Sequence, residues 1–182
     1  HSKAYGLEVL LRKNTGKLTG WIAYTLSTSQ MQTPGRTPEE SGINNGDWYN
    51  TTYDKPHDLS ISATYAASPK WTFGAIFNLQ SGLPTNYPVG KYNYLGESVA
   101  VYSKRNEYRL PTYHRLDLSA TYTPQRQNKR WKSEWTFGIY NVYNRKNAVS
   151  VSFRENKDTH ANEAVRLSIF GIIPSVTYNF SF

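Results

Sequence analysis

The sequence predicts an all-β, antiparallel transmembrane β-barrel, and three observations carry that prediction. The closing nine residues, Pro174 to Phe182, alternate without a slip. Pro174, Val176, Tyr178, Phe180 and Phe182 fall on one side of an extended chain; Ser175, Thr177, Asn179 and Ser181 fall on the other. Soluble chains usually end in polar, poorly ordered residues, whereas this pattern offers one face to lipid and one to a watery lumen. Secondly, short turns alternate strictly with long polar connections along the whole chain. Thirdly, 15 Tyr, 7 Phe and 5 Trp stand against a single Met, although mean hydropathy is negative. Rings with one polar end favour places that are half dry and half wet, membrane girdles and ligand surfaces among them.

The strands follow in order. From Tyr5 to Lys13, Tyr5, Leu7, Val9 and Leu11 alternate with Gly6, Glu8, Leu10 and Arg12, and Asn14-Thr15-Gly16-Lys17 makes a tight turn. The return strand sets Leu18, Gly20, Ile22, Tyr24 and Leu26 against Thr19, Trp21, Ala23, Thr25 and Ser27. A long loop, Thr28 to Lys55, precedes the third strand, where Leu59, Ile61, Ala63 and Tyr65 oppose Ser60, Ser62 and Thr64. Ala67 to Lys70 turns the chain into the fourth strand, Trp71 to Gln80, with Trp71, Phe73, Ala75, Phe77 and Leu79 on one side. A second long loop, Ser81 to about Tyr113, leads to the fifth, with Leu116, Leu118, Ala120 and Tyr122 opposite Arg115, Asp117, Ser119 and Thr121. Pro124 to Arg130 is a short basic turn. Trp135, Phe137 and Ile139 mark the sixth strand, and a third loop or strand extension, roughly Asn144 to Ala164, leads to the last.

With Phe182 at the periplasmic side, the turns at Asn14, Ala67 and Pro124 are periplasmic and the three long loops are outside. Single-chain bacterial barrels have an even strand number, from about eight upward, so seven strands cannot close. Two unpaired edges in hydrocarbon would cost several kcal/mol per orphan backbone group. The opening at His1 also lacks a charged and apolar leader, so the chain reads as a piece of a longer polypeptide. A soluble sandwich would also alternate, but it does not account for charge-free apolar faces, an aromatic terminus or loops of roughly 28 to 33 residues.

The net charge of +8 comes without a recognition-helix pattern, so no nucleic-acid partner is expected and the basic residues read as headgroup-facing or solvated loops and turns. No cysteine is present, which removes disulfides and thiol chemistry; four scattered histidines give no metal spacing, and no cofactor is expected. His57-Asp58 and His114 with Asp117 are the residues an outer-membrane hydrolase would need, but barrel-wall hydrogen bonding is the expected role, and no catalytic residue is assigned. The candidate ligand surface is aromatic: Trp48, Tyr49 and Tyr53 in the first long loop, with Tyr87, Tyr92 and Tyr94 in the second, since such rings stack on flat or amphipathic ligands at small entropic cost.

Several segments, in order, resemble the C-terminal end of TonB-dependent outer-membrane receptors of the kind common in Bacteroidota. They are Tyr5-Gly6-Leu7-Glu8-Val9 with Leu18 to Ser27; Lys55-Pro56-His57-Asp58-Leu59-Ser60; Phe77-Asn78-Leu79-Gln80-Ser81-Gly82-Leu83-Pro84; Tyr113 to Ser119; Asn141-Val142-Tyr143-Asn144-Arg145-Lys146-Asn147; and Ile173 to Phe182. The resemblance implies a barrel of about 22 strands around an N-terminal plug domain. Residues 1–182 would supply its last seven strands, with the plug and earlier strands outside this chain. It implies a receptor that binds a scarce nutrient and imports it with energy from TonB, working with ExbB and ExbD. Glu8, Arg115, Asp117 and Glu134 would face the plug. Val176, Tyr178, Phe180 and Phe182 would present the last strand to the barrel assembly machinery by edge addition. The remaining implied partners are the rest of the barrel, outer-membrane lipid and a surface-exposed lipoprotein. The competing reading is an outer-membrane adhesion or scaffold barrel that binds a surface partner without transport.

Overall fold

The computed structural model describes residues 1–124, 132–156 and 162–181. Fourteen strands occur in it: β1 (Ser2–Lys13), β2 (Leu18–Met31), β3 (Tyr49–Asn50), β4 (His57–Ala66), β5 (Trp71–Gln80), β6 (Pro84–Thr85), β7 (Pro88–Tyr94), β8 (Glu97–Tyr102), β9 (Tyr108–Arg109), β10 (Tyr113–Tyr122), β11 (Lys132–Tyr140), β12 (Ser150–Glu155), β13 (Asn162–Leu167) and β14 (Ile173–Ser181). Seven of them form one antiparallel meander in the order β1-β2-β4-β5-β10-β11-β14, with β3 added beside β2. These seven are the alternating segments of the sequence. β1 and β2 start or end a few residues beyond the expected bounds, and Phe182 lies outside the described residues.

Register aligns the apolar positions across the whole sheet. Leu18, Tyr65, Phe73, Ala120, Phe137 and Val176 lie in one cross-strand row; Ile22, Ile61, Phe77 and Leu116 lie in another. Nearest the turns runs an aromatic row, Trp71, Tyr122, Trp135 and Tyr178, with ring centroids 4.9 Å apart for the first pair and 4.6 Å for the last. The opposite face carries Thr64, Gly74, Ser119, Gly138 and Ser175 in one row and Thr72, Thr121, Thr136 and Thr177 in the next. The Thr121 and Thr136 hydroxyls meet at 3.0 Å, a cross-strand pair worth a few tenths of a kcal/mol to about 1 kcal/mol. Leu10, Trp21 and Ile76 interrupt this otherwise polar side.

None of the described residues covers the apolar face. Phe73 and Phe137 are each 45% exposed and Phe180 is 61% exposed, while Tyr49 is the one large apolar side chain buried among the described residues. Leaving such side chains in water forfeits about 1.5–3 kcal/mol each, so a sheet of this composition is stabilised by an apolar surface against it. Among the described residues no helix is long and apolar enough to cross a membrane, a test that does not bear on strands.

All three long connections leave the same end of the meander, and the turns after β1 and β4 leave the other. The connections contain structure that the alternation did not reveal. β7 and β8 make a hairpin, β6 pairs with β9, and β12 pairs with β13. Positive φ at Leu95 and Gly96, 51° and 89°, joins β7 to β8 by a two-residue turn whose twist suits a hairpin.

Candidate functional site

The three long connections are tied to one another at their bases. In the first, β3 folds back on β2 and the chain turns at Thr51 to Asp54. Asp54 is 2% exposed. Its carboxylate accepts the Ser29 amide hydrogen at 2.6 Å and pairs with the Arg109 guanidinium of the second connection. The same guanidinium donates to the Asp54 carbonyl at 2.8 Å and the Gly82 carbonyl at 3.2 Å. A charge taken out of water requires such a partner together with further hydrogen bonds, and both are present. Gly82 is obligatory here because a Cβ would lie 1.6 Å from the Leu110 carbonyl oxygen where the two arms of the second connection meet.

Asparagine side chains complete the joint. Buried Asn106 takes its backbone amide to the Asn86 Oδ1 at 2.7 Å and donates its side-chain amide to the Asn50 carbonyl at 2.7 Å. Asn44 accepts the Arg105 amide hydrogen at 2.8 Å and donates to its carbonyl at 3.0 Å, mimicking one rung of a strand ladder. Asn44 and Asn106 sit at φ 53° and 57°, a conformation that asparagine tolerates better than most residues. The second and third connections meet through aromatics: Tyr87 stacks on Tyr108 at 5.2 Å and receives the edge of Phe153 at 5.1 Å.

The third connection is anchored by the run Asn141 to Asn147. Asn141, 1% exposed, donates its backbone amide to Asp117 and its side-chain amide to the Arg145 carbonyl, while its Oδ1 accepts the Arg145 amide hydrogen. Asn144 Oδ1 accepts the Ile172 amide hydrogen at 3.0 Å. Asn147 pairs with both backbone groups of His114, closing the end of β10. Beside it, burial pushes the Tyr143 phenol above its ordinary pKa.

Glu8, Arg115, Asp117 and Glu134 all lie on the polar face by register. Arg115 bridges Asp117 at 2.9 Å and the Tyr140 hydroxyl at 2.8 Å, and stacks 4.1 Å from the Tyr140 ring. Asp58, Gln80 and Lys55 form a hydrogen-bonded chain nearer the connections.

The aromatic candidates separate into two groups. Tyr49 is packed inside the loop base with its hydroxyl on Thr33, and Tyr87 is held between rings. Tyr53, Tyr92 and Tyr94 are exposed, and Trp48 is capped by Lys3 Nζ at 4.1 Å. Val176, Tyr178 and Phe180 are exposed on the apolar side of the edge strand β14. His57 and Asp58 point to opposite faces, as do His114 and Asp117, and the imidazoles instead share 2.8 Å hydrogen bonds with Tyr24 and Tyr143. Neither histidine has, among the described residues, a carboxylate to orient it. Among the described residues no three His, Asp or Glu side chains converge as metal ligands would. Sequence reading missed Asp54, Arg109 and Asn106; an aspartate and an arginine 55 residues apart in polar loops carry no local signal.

A family model described as TonB dependent receptor-like, beta-barrel matches residues 1–142. The match runs from β1 through β11 and ends inside the asparagine-rich anchor. No curated protein and no solved structure matches the chain.

Proposed function

Because the chain belongs to the TonB-dependent receptor-like β-barrel family, whose members are outer-membrane receptors and transporters and not enzymes, we propose that it is the ligand-capturing part of a nutrient importer. One observation carries the reading: the long connections at one end are cross-linked through Asp54–Arg109 and Tyr87–Phe153 into a single platform. A platform held by buried bonds can present Tyr53, Tyr92, Tyr94 and Trp48 to a ligand with little ordering cost on binding. The polar face below it offers Glu8, Arg115, Asp117 and Glu134 to a plug domain.

The seven-stranded sheet is part of a larger barrel in this reading, since β1 and β14 each keep an edge unpaired among the described residues. Its long connections lie outside the cell and its turns in the periplasm. Passage of the ligand draws on TonB with ExbB and ExbD, and insertion of the barrel uses the apolar pattern of β14. A surface lipoprotein can share the exposed platform.

Growth of a strain lacking the gene, on media limited for one nutrient at a time, tests the proposal. A growth defect reproduced by deleting TonB supports import. Normal growth on every medium, together with loss of surface attachment, would replace it with the adhesion reading.

A further inference from the structure

Three side chains on the polar face of the sheet do not suit water. Leu10 on β1, Trp21 on β2 and Ile76 on β5 are between 37% and 66% exposed. Trp21 is in register with Ser62, and Ser62 with Ile76; Leu10, opposite Ala23, is the diagonal neighbour of Trp21. The positions around them on this face, Thr19, Ala23, Ser60, Ser62, Thr64 and Gly74, are all short, so nothing rising from the sheet shields them. Apolar groups gathered on a wet wall mark a surface that something else covers.

That cover is resident. An occupant that came only with a ligand would leave all three side chains in water between arrivals, and such exposure is unfavourable. The strand next to β1 in a completed barrel does not reach the whole patch. Ile76 lies on β5, between β4 and β10, so its cover stands off the inward face. Inside a closed barrel this leaves a segment folded within it.

Charge describes that segment further. Arg115 and Asp117 pair with each other at 2.9 Å, and Glu134 accepts the Asn179 side-chain amide at 2.9 Å. The Glu8 and Arg12 side chains are exposed and have no such partner among the described residues. They flank Leu10 on the same face of β1, about 13 Å apart along the strand. A complementary segment carries a basic side chain for Glu8, an apolar one for the patch and an acidic one for Arg12, in that order toward the turns.

We propose that Leu10, Trp21 and Ile76 are an apolar seat for the plug domain, whose docking segment presents basic, apolar and acidic side chains in that order. This rests on the reading of the chain as a membrane barrel with an internal plug.

The test uses the ligand-free full-length receptor in phosphatidylcholine vesicles, spin-labelled at one position at a time through Ile76→Cys, Leu95→Cys or Ala75→Cys. Residues 1–182 contain no cysteine, and any elsewhere in the receptor is replaced by serine. Relaxation of the label by oxygen reports lipid, and relaxation by a nickel chelate reports water. Leu95, 88% exposed in a long connection, is the water reference, and Ala75, on the apolar face, is the lipid reference. The label at position 76 should be shielded from both, at least about tenfold below each reference, the factor that burying one such side chain is worth. Exchanging the flanking charges (Glu8→Lys with Arg12→Glu) leaves the net charge unaltered and should return most of the nickel access at position 76. A label that stays shielded after the exchange would confine Glu8 and Arg12 to the barrel wall and overturn the proposed segment. Nickel access at position 76 matching that at position 95 before any exchange, with oxygen access kept at position 75, overturns the seat while the membrane reading stands. Oxygen access at position 76 would put this face in lipid and remove the membrane-barrel reading, and the proposal with it.

Discussion

Asp54 shows how much a single side chain can hold in a region with no apolar core. Its carboxylate joins the Ser29 amide to the Arg109 guanidinium, so one residue binds the end of β2 to the second long connection. Asp54→Asn keeps the shape but leaves Arg109 without its counter-ion. The joint should open about 3 kcal/mol more easily, the usual order for breaking a buried pair by removing one partner. Hydrogen exchange at the Ser29 amide would measure this directly, and unchanged protection would contradict it. Glu40 makes the opposite kind of contact, fully exposed at the loop tip. Its carboxylate accepts the Arg36 backbone amide at 2.8 Å and a guanidinium hydrogen at 3.2 Å, and these bonds hold its pKa below the ordinary 4.5. A lowered carboxylate pKa means the Arg36–Glu40 closure is present above the unfolded value and is lost as pH falls through the folded one. Carbon NMR of the Glu40 carboxyl should therefore titrate below 4.5, with the Arg36 amide shift following it.

At the scale of elements, legibility tracked the range of the interactions. The seven sheet strands were readable because a period of two is written in consecutive residues, Leu59, Ile61, Ala63 and Tyr65 for example. The loop base was not readable, since Asn44 meets Arg105 across 61 residues and Asn106 meets Asn50 across 56. The β7–β8 hairpin was obscured by Pro88, by Gly90 at a register shift, and by a turn built on leucine where asparagine is usual. Leu95 is 88% exposed at φ 51°, so it has an unfavourable backbone and no packing to offset it. Leu95→Asn should stabilise the hairpin by about 1 kcal/mol, read as slower amide exchange along β7 and β8. If ligand capture weakens at the same time, the leucine is retained for contact and not for folding.

At the scale of the molecule, the two faces of the sheet make opposite demands. Leu118 lies midway along β10 in register with Ala75 and Ile139, on the apolar side that no described residue covers. Thr64 lies one strand from β5, opposite Gly74, on the polar side and open to solvent. A charge placed at Leu118 must stay in hydrocarbon, with only a long side chain to carry it toward water. Leu118→Arg should therefore cost about 2–4 kcal/mol of folding stability in vesicles. Thr64→Lys adds a similar charge to a wetted wall and should change stability by less than about 0.5 kcal/mol. Urea unfolding of the full-length receptor from bilayers compares the two on one scale. The prediction concerns their difference: a soluble sandwich would bury one face in protein and leave the other in water, and refolding would then need no lipid at all. Equal costs for the two substitutions, or lipid-independent refolding of the wild type, would mean that the apolar rows of this sheet face something other than a membrane.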